Sequence, residues 1–421
     1  MEVPPMSTGP VVVVGFVVAL LRTMETFQPA DSVIIVDEPD VFRKKDAAPK
    51  VAEARCVADT IEFEYFNLPA AADEFFHRYR DLNPSAIIPA VDYAVPFAAR
   101  LAERYGVAGS TYGAATLLRD KELLRLVARA AGIANPASVP VAGPDEVHAF
   151  MAAHPGPAIL KPANRQAAIG TRILAEPAEI DASWTDCLDQ DEGIATPDRA
   201  MPLRMLVEEY VKGDEFSVEM VLRGGAPLFG NVTAKALIPG PKPVENGHIV
   251  PADIPAALTD ALNAETVRLL DAVGFDTGFV HCEWIVRDGE IYLVECAGRM
   301  PGDMIMDLIR EAWSFNMVEY YFEVMRGGTP SRAVPVDAPA GAAIWFLHTE
   351  PGEVLSVDGL DEARQGPGVL QVDMLVQPGG RVHELRSSWD RAGLAVARAE
   401  SPAAALAAAR EAIDTLTVKF A

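Results

Sequence analysis

The chain has 421 residues, half of them hydrophobic, and 60 acidic against 36 basic side chains give a formal charge of −24. That length asks for two or three domains with sizeable cores, and so negative a field repels nucleic acid and anionic membrane as partners while allowing a local basic pocket. Four cysteines (Cys56, Cys187, Cys282, Cys296) show no metal-ligand spacing and read as reduced thiols of a cytoplasmic protein; the most apolar stretch, Val11 to Leu21, is broken by Gly15, is too short to span a bilayer and has the acidic Glu2 rather than a basic segment ahead of it.

Pro10 to Gly15 (PVVVVG) predicts a buried parallel strand ending in a glycine turn, followed by a helix over roughly Val17 to Thr26. Ser32 to Asp37 and Ser85 to Ala90 predict two more short apolar strands, the latter leading into a helix from about Tyr93 to Tyr105. Strand–helix alternation of this kind argues for a doubly wound α/β unit, and the missing GxGxxG removes support for a dinucleotide site. A helix is expected over Arg119 to Ala131, then a strand over Ile159 to Asn164. Arg204 to Val211 and Glu215 to Leu222 read as strands joined by a turn at Lys212-Gly213-Asp214. Further on come a strand at Gly230 to Lys235, a helix from about Ile254 to Val273 and one long helix from about Met304 to Met325. Thr329 to Pro339 is proline-rich and reads as a linker; strands at Ala342 to His348 and Gly368 to Val376 and a helix over Pro402 to Leu416 make the tail a small α+β domain or a lid.

The chemistry concentrates in Phe279 to Asp303, two apolar strands joined at Asp288-Gly289. Glu283 and Glu295 come to lie across from each other in that hairpin, and Arg299 follows. Two acids on one apolar face repel each other and lose hydration unless a cation lies between them. Mg²⁺ suits this role, with Mn²⁺ as a substitute, because it prefers oxygen ligands and leaves room for phosphates. An arginine nearby suits a carboxylate or phosphoryl group. The two cysteines beside these glutamates point to the opposite face and read as core packing.

Lys121 lies in the first turn of a helix opening at Asp120, and Lys161 closes an apolar strand, where an ammonium wants an anion. After Lys161 runs a polar loop, Pro162 to Thr171, with Gly170 its one glycine. Such a loop can fold over phosphates with its N–H groups. In Val207 to Glu215 (VEEYVKGDE) a strand loses its alternation at Glu208-Glu209-Tyr210-Val211 and can offer backbone groups to a flat heterocycle, and Glu215 can accept from ribose hydroxyls; an ordinary charged hairpin fits the same residues.

Taken in order, the two lysines, polar loop, EEYVKGDE segment, glutamate hairpin and arginine resemble the ATP-grasp superfamily from about residue 110 to 326. The resemblance implies a preATP-grasp α/β domain at 1–110, an ATP-grasp domain at 111–330 (a lysine-bearing part to 205, then a nucleotide and metal part) and a C-terminal α+β domain at 331–421. It implies that Lys121 and Lys161 contact ATP phosphates, that Glu209 and Val211 meet adenine through their backbones, that Glu208 reaches the adenine amine, that Glu215 holds ribose and that Glu283 and Glu295 bind Mg²⁺. Within Lys242 to Pro255, Glu245, His248 and Pro251 resemble the E-x-x-H-x-x-P element of bacterial L-amino-acid ligases, and Glu295, Arg299 and Gly302 resemble their E-x-x-x-R-x-x-G element. By that resemblance Glu245, His248, Arg299, Gly302 and Asp303 line the substrate site, Glu245 taking an ammonium and Arg299 a carboxylate or acyl phosphate. Arg299, Lys161 and His248 are then the catalytic residues.

Three departures stand out. Ala297 replaces an asparagine common in the second metal segment. The phosphate loop is poor in glycine and lacks the usual serine, with Arg165 or Arg172 as substitutes. Asp303 stands where some dipeptide ligases carry a bulky aromatic, which favours a larger or cationic second amino acid. The expected activity is an ATP-dependent carboxylate–amine ligase forming an amide or dipeptide through an acyl phosphate. Its partners are small carboxylates and amines, with a homodimer as the expected assembly. The alternatives are a carboxylase-like enzyme activating bicarbonate, for which no biotin-carrier lysine motif appears, and a non-catalytic nucleotide-binding protein.

Overall fold

In the computed structural model, residues 9–189, 192–328 and 330–421 are described. Glu2, the start of the 1–110 expectation and Thr329 at the head of the linker lie outside them. The strands are β1 (Val11–Val14), β2 (Val33–Asp37), β3 (Val57–Glu62), β4 (Ala86–Pro89), β5 (Ser138–Val141), β6 (Ala158–Pro162), β7 (Arg172–Leu174), β8 (Met205–Glu209), β9 (Asp214–Arg223) and β10 (Ala226–Leu237). They continue with β11 (Glu245–Val250), β12 (Gly278–Arg287), β13 (Glu290–Ala297), β14 (Gly341–Leu347), β15 (Gly352–Asp358), β16 (Val369–Met374), β17 (Arg381–Val382), β18 (Gly393–Ala399) and β19 (Thr417–Phe420).

The valine run of β1 is buried on both faces because it is an inner strand of a parallel sheet ordered β3-β2-β1-β4. Val12, Val14 and Ile87 pack on the helix Val95–Tyr105 side, while Val11, Val13 and Ile88 join a core shared with the helices Ile305–Trp313 and Met317–Met325. The N-terminal sheet is thus fused to the centre of the molecule by a common apolar layer.

A second sheet, β5-β8-β6-β7, packs on the helices Pro144–Ala153 and Ile180–Leu188. The third is antiparallel and eight-stranded, in the order β13-β12-β9-β10-β11-β14-β18-β16. Strand alternation sorts its faces. Phe216, Val218 and Met220 of β9 and Cys282 and Trp284 of β12 meet the helix Ala256–Val273, whereas Ser217, Glu219, His281 and Glu283 point the other way.

Several expectations change. The long helix is two helices, because Ser314 adopts φ 50° and Asn316 caps the second by accepting from Glu319 N–H. Arg119 ends a separate helix, Tyr112–Arg119, and Asp120 caps the helix Lys121–Ala130 by accepting from Glu122 and Leu123 N–H. Lys212-Gly213-Asp214 is no hairpin turn, since β8 and β9 lie in different sheets. Nor does the tail stand apart: β14, β18 and β16 extend the central sheet through β11, with Gly247 opposite Trp345. Among the described residues only the β17-β15-β19 sheet is confined to the tail.

Candidate active site

A cavity of about 470 Å³ lies between the second sheet and the central sheet. Thirteen of the residues proposed above line it: Lys121, Lys161, Glu208, Glu209, Val211, Glu215, Glu245, His248, Glu283, Glu295, Arg299, Gly302 and Asp303; Arg165 does as well, but Arg172 and Pro251 do not. The β8–β9 link forms one wall because it crosses between sheets. Gly213 allows that crossing, since a Cβ there would stand 2.3 Å from Val286 O.

The acids of the hairpin are opposite one another through a β-bulge. Counting back from the Asp288-Gly289 turn, Arg287 faces Glu290 and Trp284 faces Leu293, but Glu283 faces Glu295 because Val294 is extra. The bulge also frees Val294 O to accept from Arg125 Nη2 at 2.7 Å. Both carboxylates meet ammonium groups: Glu295 pairs with Lys121 at 2.9 Å and Glu283 with Lys235 at 2.9 Å. Among the described residues no cluster of three or more His, Cys, Asp or Glu side chains forms a metal cage. Two facing carboxylates without further protein donors still suit Mg²⁺, which commonly takes one or two carboxylates and completes its shell with phosphates and water.

Lys235 was not singled out in the sequence, although Asn231, Thr233 and Lys235 alternate along one face of β10. Its Nζ lies 2.9, 3.4 and 3.9 Å from Glu283, Glu245 and Glu215. Burial alone would depress its pKa, but these three acids raise it well above the usual lysine value, so it is a fixed cation. Glu215, shielded by burial and flanked by Glu283 and Glu245, is pushed up to about 7 despite Lys235. Behind Glu283, His281 donates toward Glu219 (2.9 Å) and Glu283 (3.1 Å). Burial disfavours its charge, yet the two carboxylates lift it to about 9. Ser217, Asn231 and Thr233 complete the hydrogen bonds of Glu219.

Glu208 is 1% exposed and its carboxylate is engaged: Arg125 reaches it at 2.9 and 3.1 Å, and Lys161 at 2.6 Å. Burial opposes its charge, but Arg125 and Lys161 bring the pKa down to about 2. Its oxygens therefore hold Lys161 in place at the cavity wall. Lys121 Nζ also donates to Arg165 O at 2.9 Å, tying the polar loop to its helix. In that loop Ala167 and Ala168 adopt φ 56°, the left-handed region glycine would take without strain. Arg165 meets Glu192 at 3.6 Å, while Arg172 pairs with Asp186 at 3.3 Å.

Arg299 donates to Asp92 at 2.7 Å, an acid of the N-terminal unit. Burial would raise the Asp92 pKa; Arg299 and Arg119 outweigh it and hold the value below the usual range. Glu245 accepts from Ser388 Oγ at 2.7 Å. Asp303 is bound bidentately by Arg391 at 2.9 and 2.5 Å and contacts His248 Nε2 at 3.1 Å. His248 Nδ1 is buried and has no hydrogen-bond partner among the described residues. Asp303 is therefore not a free acid aimed at a cationic substrate, because the tail supplies its counter-ion. Arg125, Asp92, Ser388 and Arg391 reach the site across sheets or domains, and no local spacing announces them, whereas His281 stands two residues before Glu283 on the same face of β12, a signal the alternation of that strand did offer.

Residues 154–307 match the family described as ATP-grasp domain, and residues 345–421 match L-amino acid ligase C-terminal domain 2. The crystal structure of an L-amino acid ligase from Bacillus licheniformis superposes with a TM-score of 0.77 at 17% identity, covering 99% of each chain. The L-arginine-specific L-amino acid ligase of Bacillus subtilis is 22% identical over 68% of each chain. The D-alanine–D-alanine ligase of Coprothermobacter proteolyticus is 24% identical over 58% of this chain and 88% of its own. Among the described residues no helix is long and apolar enough to cross a membrane. The fold, the two matched families and these relatives agree: the chain is an ATP-grasp ligase, an enzyme related to the bacterial L-amino-acid and D-alanine–D-alanine ligases.

Proposed function

We propose that this enzyme joins the carboxylate of one amino acid to the amine of another, consuming ATP and releasing ADP and phosphate. The observation that carries this reading is the cavity itself, where three lysines and Arg299 stand beside the Glu283–Glu295 pair and the Glu245–His248–Asp303 group. A carboxylate is inert to amines because its leaving group would be oxide. Transfer of the γ-phosphoryl group breaks the β–γ bridge, forms an O–P bond on the carboxylate and yields ADP and an acyl phosphate. In this reading Lys121, Lys161 and Lys235 balance the anionic oxygens and Arg299 holds the carboxylate. When bound by Glu283 and Glu295, Mg²⁺ would neutralise phosphate charge.

The amine then attacks the acyl carbon, and the tetrahedral adduct collapses to amide and phosphate. An amine must lose a proton to finish that step. In this reading His248, lining the cavity and held through its Nε2–Asp303 contact, binds the amine or relays that proton. The polar loop over residues 162–171 lies against the cavity and would shield the acyl phosphate from water. Glu209 and Val211 on the β8–β9 link, with Glu215, supply the adenine and ribose contacts in this reading.

The test is phosphate release from ATP against pairs of amino acids, with mass detection of product. Release that needs two amino acids supports the reading. Release that needs only bicarbonate replaces it with a carboxylase, and none under any condition leaves a nucleotide binder. Glu283→Ala and Glu295→Ala are each expected to lower turnover at least about a hundredfold. Undiminished turnover in either would remove that acid from the metal role.

A further inference from the structure

The tail touches the cavity through one short turn, Ser387 to Arg391, which contributes Ser388 and Trp389 to its lining. The turn is pinned on both sides of the tryptophan. Before it, Ser388 Oγ donates to Glu245 at 2.7 Å; after it, Arg391 grips Asp303 with two hydrogen bonds and lies 3.5 Å over the Phe346 ring. Within it, Asp390 Oδ2 accepts from Ser387 N–H at 2.8 Å, and Arg391 Nε donates back to Ser388 O at 2.6 Å. Trp389 itself is 47% exposed. Held at both ends of its turn, this half-exposed indole offers a stacking face at the cavity wall.

The charges around that face are already matched. Asp303 has Arg391 and His248, Glu245 has Ser388 and Lys235, and Arg391 spends both terminal nitrogens on Asp303. A cationic substrate side chain would have to break the Arg391–Asp303 pair, and an anionic one finds its nearest guanidinium taken. An apolar side chain loses nothing and gains the indole.

We propose that this turn is the specificity wall of the amino-acid site. The substrate held at the Glu245–Asp303 end carries an uncharged, bulky apolar or aromatic side chain that lies against Trp389. The proposal rests on the ligase reading above and names the substrate class for it. Of the larger or cationic second amino acid that Asp303 suggests in the sequence, it keeps the larger and drops the cationic.

The experiment measures kcat/KM for ATP-dependent coupling by the full-length enzyme while one amino acid is varied among Leu, Phe, Ala, Arg and Glu. The wild type is expected to favour Leu or Phe. Trp389→Ala should lower the ratio of Phe to Ala by about tenfold or more, chiefly through KM, and Trp389→Phe should restore most of it. Circular dichroism and melting of each variant separate this from a folding defect, which would lower every substrate alike. A wild-type preference for Arg or Glu, or a Phe-to-Ala ratio unmoved by Trp389→Ala, overturns the proposal and leaves the ligase reading standing. Absence of turnover with every pair overturns the ligase reading and this proposal with it.

Discussion

Glu208 illustrates how one buried acid organises several cations. It lies beneath the cavity with Arg125 and Lys161 on its two oxygens, and the ion triad is stable only while complete. Removing the charge by Glu208→Gln strands two buried cations and should cost about 3–5 kcal/mol, read from urea unfolding. The pH dependence has a definite sign. Its folded pKa of about 2 lies below the ordinary 4.5, so its contribution is complete above pH 4.5 and fades as the pH falls toward 2. That loss amounts to about 3 kcal/mol, and the acid limb of the stability curve should flatten in Glu208→Gln. An unchanged acid limb would mean that other carboxylates set it. The adenine-amine role that the sequence pattern assigns to this residue competes with the two cations it already holds.

At the scale of the element, two backbone details build the site. The Val294 bulge turns a hairpin that would set Glu283 against Val294 into one that sets it against Glu295. Deleting the extra residue Val294 should therefore regularise the hairpin with Glu283 still opposite Glu295, and its cost should fall on the lost Val294 O–Arg125 bond, about 1–3 kcal/mol in thermal melts with turnover retained in part. An unchanged melt together with abolished turnover would show that the site needs the bulge itself. Gly213 is the second detail. A methyl group there meets Val286 O, so Gly213→Ala must push the β8–β9 link away from β12. The expected result is a loss of about 1–3 kcal/mol in stability and a raised KM for ATP, measured by thermal melts and steady-state kinetics. Gly289→Ala provides the contrast: φ 82° is strained for alanine, but no atom lies within 4 Å of the new Cβ. Its cost should be confined to about 1–2 kcal/mol of stability.

Across the whole molecule, the central sheet is the shared frame. It carries the Glu283–Glu295 hairpin at one edge and the tail strands at the other, with β11 and its Glu245 and His248 between them. The tail is therefore part of the sheet that carries these residues rather than an appendage. A chain ending at Ala340 would leave β11 an unpaired edge and remove the counter-ion of Asp303. It should aggregate or elute far above monomer size in light-scattering chromatography. A monodisperse, fully active truncation would contradict this view.

Much was legible in the residues alone. The apolar runs marked the parallel strands, Asp288-Gly289 marked the hairpin, and the order of lysines, acids and arginine marked the ATP-grasp pattern, because these signals are local and periodic. Lys235 and Arg391 were not legible, since each acquires meaning from a partner more than 40 residues away in chain or on a neighbouring strand. Even the pairing of Glu283 with Glu295 was inferred without the bulge that produces it. Local composition and alternation determined which segments become strands and which residue types can do chemistry. Only the tertiary structure decided which charge answers which, because an ion pair depends on distance through space, and distance is set by how the sheets cross.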